Sequence, residues 1–224
     1  MDKNVKSQLE KYNTLLVNKN RVLNLTAHKT IEDSWKYNVC DSILFANVIK
    51  EYVQSNLRHL DIGSGGGAPA ILLKICIPEL DTTMIDSVGK KVLALNEMIE
   101  TLRLDNIRSI HARVEDFCVT NRESFNIVTA RAVAPLTTLV EYALPLLKID
   151  GYFLAYKGKS VDEEIETASK AIKILGGKID TIKYAKLDDE TVRALVIIKK
   201  VSLTPKNYPR GKNLPRTKPL LQAT

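Results

Sequence analysis

The residues best suited to chemistry form a glycine-rich segment, Gly63-Ser-Gly-Gly-Gly-Ala68, between a short apolar stretch and an apolar helical run. Glycines permit turns with positive φ and let a ligand touch bare backbone. Asp86 ends the next predicted strand, where its carboxylate can accept both ribose hydroxyls of a nucleotide. A tight turn without a ligand is the plainer alternative, but strand, glycine loop and helix in this order favour a nucleotide-cofactor site.

Two cofactor classes fit this loop. Gly63, Gly65 and Ala68 match the dinucleotide pattern GxGxxG/A. Gly63, Gly65 and Gly67 equally match the GxGxG of S-adenosylmethionine sites. S-adenosylmethionine is favoured because Pro69 removes an amide that a pyrophosphate would need, and because the chain has no room for a second substrate domain. An NAD-type oxidoreductase is the weaker alternative.

The charge balance indicates an anionic partner. The 224 residues carry a net charge of +7, and 45% of them are hydrophobic, which is enough for a full-sized core. Residues 201–224 hold five basic residues, four of the eight prolines and no acidic residue. Such a tail is typical of contact with nucleic acid or an anionic membrane. The prolines argue against the long amphipathic helix that a membrane surface would bind.

The cysteines indicate a reducing compartment and no metal site. Cys40, Cys76 and Cys118 are far apart and form no CxxC pair. The N-terminus lacks the apolar core of a secretory signal, and no apolar run approaches the roughly 20 residues of a membrane span. We therefore expect a cytoplasmic protein that has no metal and does not contact a membrane.

Hydrophobic periodicity predicts an α/β fold with an N-terminal helical cap over residues 1–53. Residues 54–200 alternate strands and helices, which predicts a mostly parallel, Rossmann-like sheet. The end of this segment resembles the last two strands of class I methyltransferases. Two β-like runs with no helix between them predict a closing antiparallel hairpin. Residues 201–224 form the basic tail of what we expect to be one structural domain. The predicted strands are 57–62, 82–86, 107–111, 125–130, 151–156, 178–186 and 191–200, and the predicted helices are 3–20, 30–53, 69–76, 88–102, 135–147 and 161–175.

Several short motifs occur in one order over about residues 12–220. They are Asn24-Leu-Thr26, Asp41-Ser42, Asp61-Ile-Gly-Ser-Gly65, Asp86-Ser-Val-Gly-Lys-Lys91, Arg113-Val-Glu115, Ala130-Arg-Ala132, Lys157-Gly158, Arg193 with Leu195-Val-Ile-Ile-Lys199, Tyr208-Pro-Arg210 and Lys218-Pro-Leu220. Together they resemble the small-subunit ribosomal RNA methyltransferase G family, also called glucose-inhibited division protein B.

That resemblance implies methyl transfer from S-adenosylmethionine to N7 of a guanine in the decoding-region loop of 16S rRNA. The partner would be 16S rRNA or the small ribosomal subunit, and we expect a monomer. The cofactor contacts that the resemblance implies are Gly63, Ala68, Val114, Glu115 and Arg131, and the ribose argument adds Asp86.

Some positions depart from the family pattern. Tyr37-Asn38-Val39-Cys40 precedes Asp41 where the family usually has an Arg-His pair, Ala70 replaces a glycine and Asn126 replaces an aspartate. A non-catalytic RNA- or ribosome-binding protein that keeps the fold is therefore the rival hypothesis.

Guanine N7 carries a lone pair and no proton, so its methylation needs no general base. Alignment of the reactants and desolvation would supply catalysis. None of His28, His59 and His111 is therefore assigned an acid–base role, although His28, in the cap loop, is a candidate for contact with the base.

Arg131, at the end of the fourth strand, is the candidate catalytic residue, since its planar donors suit a base edge or a phosphate. A salt bridge to Glu115 or Asp86 is the alternative. The tail could instead be an ordered strap that packs over the sheet. The predicted RNA-binding residues are Lys90, Lys91, Lys157, Tyr208, Arg210, Lys212, Arg216 and Lys218.

Overall fold

A seven-stranded sheet organises the chain. Its strands are β1 Arg58–Ile62, β2 Asp81–Asp86, β3 Ile107–His111, β4 Phe125–Arg131, β5 Leu147–Lys157, β6 Gly177–Lys186 and β7 Val192–Lys200. The computed structural model describes residues 1–53, 57–159 and 161–220. The predicted start of the core at residue 54 and the last four residues of the predicted tail lie outside these ranges.

The strand order is β3-β2-β1-β4-β5-β7-β6. β1 to β5 are parallel, and β7 runs antiparallel to both of its neighbours. The predicted mostly parallel sheet with a closing hairpin is therefore confirmed. The order reverses between β1 and β4, and ligands of such sheets bind at the carboxyl ends of the strands beside this reversal.

Helices cover both faces of the sheet. They are α1 Lys3–Leu23, α2 Ile31–Ser34, α3 Asp41–Ile43, α4 Ala46–Lys50, α5 Ala70–Cys76, α6 Gly89–Leu102, α7 Val114–Asn121, α8 Leu136–Ala143, α9 Val161–Ile174 and α10 Leu214–Thr217, with a π-helix at Trp35–Cys40 and a 3₁₀ turn at Leu144–Leu146. β7 shows the two-sided burial, because Val196 packs into the cluster with α8 and α9 while Leu195 and Ile197 pack into a cluster on the other face. Alternating side chains of a strand point to opposite faces, so both faces need cover.

The N-terminal cap is attached to the core by its own apolar stripe. α1 begins behind Asp2, whose carboxylate accepts the amides of Asn4 and Val5. Leu9, Tyr12 and Leu16 are at most 1% exposed and belong to one cluster with residues of α5 and α6. Burial of each such side chain contributes roughly 1.5–3 kcal/mol.

Two local predictions were wrong, and one helix was not predicted. The single helix expected over 30–53 is divided into α2, the π-helix, α3 and α4, because the wider π turn changes the helical phase midway. The helix expected to 147 ends at Ala143, and β5 begins at Leu147 with a register shift opposite β4. α7 was not predicted, since its eight residues follow β3 after only two connecting residues.

Within the part of the chain that the structure describes, no helix combines the length and hydropathy needed to cross a bilayer. The same residues contain no group of three or more His, Cys, Asp or Glu side chains arranged to hold a metal ion.

Candidate cofactor and substrate site

The glycine turn lies at the carboxyl end of β1, where the strand order reverses. Gly63 has φ +69°, and a Cβ there would lie 2.7 Å from Cγ2 of Val133. Gly67 has φ +92°, and a Cβ there would lie 2.5 Å from Cδ1 of Ile71. Both positions need glycine for its backbone and for the missing side chain. The turn thus presents bare backbone at the edge of the sheet.

Asp86 connects the glycine turn to the start of α6. Its Oδ2 accepts the Gly65 amide and its Oδ1 accepts the Val88 amide, both at 2.9 Å. Asp86 thus links the glycine loop to the residue that precedes α6. Each carboxylate oxygen has two lone pairs, so the same group can still accept ribose hydroxyls.

A cavity of about 420 Å³ opens beside Asp86. Its walls are formed by the segments at the carboxyl ends of β1 to β3, by the first turn of α7, and by residues of α8 and of the tail. Glu115 lies in the first turn of α7, and its Oε1 is 3.5 Å from the Tyr142 hydroxyl. The lining residues include Ile62, Gly63, Asp86, Ser87, Lys91, Val114, Glu115, Ala132, Tyr142, Asn213 and Arg216. Three predicted cofactor residues, Asp86, Val114 and Glu115, therefore line one cavity.

Asp61 lies two residues before Gly63, where this turn begins, and is 1% exposed. Its Oδ1 accepts the Thr129 hydroxyl at 2.6 Å, whereas its Oδ2 has no hydrogen-bond partner among the described residues. Burial raises the pKa of Asp61 to about 6, although hydrogen bonds such as the one from Thr129 act to lower it. A buried carboxylate of this kind provides negative potential next to the bare backbone of the loop.

Arg131 ends β4 and belongs to a network with the cap. Its guanidinium pairs with Asp41 at 2.9 Å and donates to the Tyr37 carbonyl at 3.0 Å. Asp41 also accepts from Arg193 Nε at 2.6 Å. The salt bridge considered from the sequence therefore exists, but its partner is Asp41 and neither Glu115 nor Asp86.

A second cavity of about 400 Å³ lies on the cap side of the glycine turn. It shares Gly63, Lys91 and Ala132 with the first cavity, so the two adjoin at the end of β1. Its lining residues include Tyr12, Leu16, Leu25, Thr26, His28, Tyr37, Asn38, Asp41, Gly65, Ala68, Arg131 and Arg193. The predicted cofactor residues thus divide, with Asp86, Val114 and Glu115 in the first cavity, Gly65, Ala68 and Arg131 in the second, and Gly63 in both. The predicted cofactor residue Gly67 is buried and lines neither cavity.

Comparison with known proteins agrees with this geometry. Residues 5–193 match the family described as GidB, rRNA small subunit methyltransferase G. The chain belongs to this family. Ribosomal RNA small subunit methyltransferase G of Desulforamulus reducens is 43% identical over 214 residues, which cover 94% of this chain and 88% of the relative. The protein of the same name from Bacillus licheniformis is 42% identical over 216 residues, covering 95% and 90%.

A solved structure shows the same fold at a much lower identity. An rRNA methylase from Streptococcus thermophilus superposes with a TM-score of 0.53 at 15% identity, over 71% of this chain and 95% of that chain. The sheet of this methyltransferase G family member is thus a class I methyltransferase sheet.

Two of the predicted RNA-binding side chains have partners inside the fold. Lys157 pairs with Glu164 at 2.6 Å, and only 8% of its side chain is exposed. Arg210 pairs with the fully buried carboxylate of Glu141 at 2.7 Å. Tyr208 packs against the apolar core. In this family member residues 201–220 of the tail therefore form an ordered strap, as the sequence-based alternative proposed.

The remaining predicted cations lie at the surface or the cavities. Lys90, Lys212 and Lys218 are exposed, and none of them forms an ion pair with another described residue. Lys91 lines both cavities, and Arg216 lines the first.

Sequence analysis missed residues that come from distant segments. Asp41 occurs in a family motif, but only the fold brings it to Arg131, 90 residues away. Tyr142 and Asn213 carry no local signal, because a helical tyrosine and a tail asparagine are common surface choices. Tyr37 was noticed only as a departure from the family pattern.

Proposed function

We propose that this chain transfers a methyl group from S-adenosylmethionine to N7 of a guanine in 16S rRNA. It acts in the cytoplasm as a monomer, with 16S rRNA or the small ribosomal subunit as its partner. The observation that carries the proposal is the pair of cavities that adjoin at Gly63, one suited to an adenosine group and the other open to a base.

The residues present fit this cofactor. When bound, S-adenosylmethionine supplies an electrophilic methyl group on a positively charged sulfur. Gly63 would give it bare backbone where a Cβ has no room, and Asp86 would accept its ribose hydroxyls. Asp61 would add a favourable potential for a cationic ligand through its unpartnered buried oxygen.

No residue has to act as a base, because guanine N7 has no proton to lose. The buried histidine of the sheet agrees with this mechanism. His59 is fully buried between the hydroxyls of Thr82 and Thr129 at 3.2 and 2.9 Å, and burial lowers its pKa to about 3. It is therefore a neutral structural group, and the contribution of the protein is alignment and exclusion of water.

Arg131 has the position of a residue that meets both reactants. Asp41 and the Tyr37 carbonyl fix one edge of its guanidinium, and its side chain is only 13% exposed. A guanidinium fixed in this way keeps other N–H groups for the target nucleotide. We assign it to orientation of that nucleotide against the methyl donor.

Tyr37 and Asn38 line the second cavity, but the other two departures from the family pattern lie away from the site and do not favour the non-catalytic rival. Asn126 accepts the Arg58 amide at 3.1 Å, at the amino ends of β4 and β1. This contact is at the edge of the sheet opposite the glycine turn. Ala70 is the first residue of α5 and is buried. Neither substitution touches the two cavities.

RNA contact is assigned to the predicted cations that form no ion pair with another described residue, although Arg216 donates to the Val133 carbonyl at 3.3 Å. Lys90 and Lys91 begin α6 beside the cavities, and Lys212, Arg216 and Lys218 lie in the ordered strap. Such residues contact phosphates and give affinity that falls with salt.

The test is to map methylated guanines in 16S rRNA by mass spectrometry, in cells with and without this gene. We expect one N7-methylguanosine to disappear without the gene and to return when purified protein and S-adenosylmethionine are added to small subunits from the deletion strain. Unchanged methylation in the deletion strain would contradict the proposal. Binding of NADH but not of S-adenosylmethionine would support the oxidoreductase instead.

A further inference from the structure

We propose that His28 is the platform on which the target base stacks in the second cavity, and that Tyr37 holds it from behind. The inference rests on the proposed function, and it gives a defined role to His28, which the sequence offered only as a candidate for contact with the base. Both rings line the second cavity and both are partly exposed.

The two rings form a stacked pair. Their centroids are 4.7 Å apart, with an angle of 21° between the planes. Lys36 Nζ also lies over the Tyr37 ring, 5.0 Å from its centroid, and pairs with Asp188 of the β6–β7 hairpin at 2.7 Å. The His28 ring and the Lys36 ammonium are both too close to the Tyr37 ring to share one of its faces, so they occupy opposite faces. In the stacked pair of His28 and Tyr37, the free face is therefore the outer face of His28.

The backbone around His28 is held rigidly although its ring is not. Asn20 is buried, accepts the Thr26 amide at 2.9 Å and donates to the His28 carbonyl at 3.2 Å. Thr26 in turn donates to Asn38 of the π-helix at 3.1 Å. Among the residues that the structure describes, the imidazole itself has no hydrogen-bond partner. A fixed backbone with an unbonded flat ring is what a stacking surface requires.

The same cavity also supplies charge. Arg131 and Arg193 share the carboxylate of Asp41, so this group of three keeps a net positive charge. A nucleotide turned out of its RNA would meet a flat ring and guanidinium donors within one cavity. Enzymes that modify bases extrude them from the stack and hold them against aromatic side chains. The cavity therefore has the two components that base capture needs.

The experiment compares ring-keeping and ring-removing variants at both positions. His28→Leu and Tyr37→Leu remove the rings at similar volume, and His28→Phe and Tyr37→Phe keep them. Small subunits from the deletion strain serve as substrate, and kcat/KM is measured for the RNA. Loss of one stacking contact costs about 1–3 kcal/mol, which corresponds to roughly 5- to 150-fold in kcat/KM.

We expect His28→Leu to lower kcat/KM within that range and Tyr37→Leu to lower it by less, because Tyr37 acts only through His28. Both phenylalanine variants should stay within about threefold of the wild type. The dissociation constant for S-adenosylmethionine should remain within about twofold in all four, which shows that the fold and the first cavity are intact.

The inference is overturned if His28→Leu is as active as the wild type, if His28→Phe is as impaired as His28→Leu, or if the leucine variants lose S-adenosylmethionine binding, which would make the ring pair a structural element. Failure of the proposed function is separate, since the wild-type protein would then leave 16S rRNA unmethylated in the same assay.

Discussion

Replacement of Asp61 by asparagine should stabilise the free protein at neutral pH. Burial holds the pKa of Asp61 at about 6, above its ordinary value of 3.8. Because the folded pKa is the higher one, the ionised carboxylate costs the native state about 3 kcal/mol above pH 6. This cost disappears as the pH falls from 6 toward 3.8. The asparagine keeps the acceptor for Thr129 and leaves one amide unpaired at a cost of about 1 kcal/mol, so the net gain is about 2 kcal/mol.

The measurement is urea unfolding of the cofactor-free protein at pH 7.5 and pH 4. Asp61→Asn should gain about 2 kcal/mol of unfolding free energy over the wild type at pH 7.5. At pH 4 it should lose about 0.5 kcal/mol, because most of the ionisation cost has gone and the unpaired amide remains. Asp86→Asn is the matched control. Both carboxylate oxygens of Asp86 accept a backbone amide, so the same substitution there would set the new NH₂ group against one of these amides. It should lose about 1–3 kcal/mol at both pH values. Equal destabilisation by the two substitutions would refute the assignment of a destabilising charge to Asp61.

Three further outcomes follow from individual contacts. His59→Asn should make the protein less sensitive to acid. In the wild type the folded pKa of His59 lies below its unfolded value, so its contribution to stability is complete above pH 6.5 and is lost as the pH falls toward 3. The difference in unfolding free energy between variant and wild type should therefore change by about 1.4 kcal/mol per pH unit between pH 6 and 4. Arg131→Ala should abolish methylation while circular dichroism stays native, and near-normal turnover would reject its role. Arg210→Ala should lower the free energy of unfolding by about 3–5 kcal/mol, since it leaves the Glu141 carboxylate buried and unpaired. Lys212→Ala should leave the free energy of unfolding unchanged and lower the salt dependence of RNA binding.

The sequence was sufficient for features that depend on local patterns. The glycine turn could be predicted because Gly63 and Gly67 adopt backbone conformations that other residues avoid, and the strand that ends at Asp86 because its apolar residues are contiguous. The closing hairpin was evident from two β-like runs without a helix between them.

The features that were not predicted depend on long-range packing. The partner of Arg131 is 90 residues away, in a segment whose helical phase shifts at the π turn. The tail was expected to offer its cations to RNA, yet Arg210 neutralises a buried carboxylate 69 residues distant. Charge alone could not distinguish these uses, because the burial of Glu141 becomes visible only once α8 is placed against the sheet.

The ordered strap has a consequence for synthesis of the chain. Asn213 and Arg216 form part of the wall of the first cavity, and the carbonyl of Pro215 accepts the Thr138 hydroxyl at 2.9 Å to hold them there. These residues leave a translating ribosome after all seven strands. A nascent chain, or one truncated by a premature stop codon before residue 213, would therefore lack one side of its cofactor cleft even with its sheet complete.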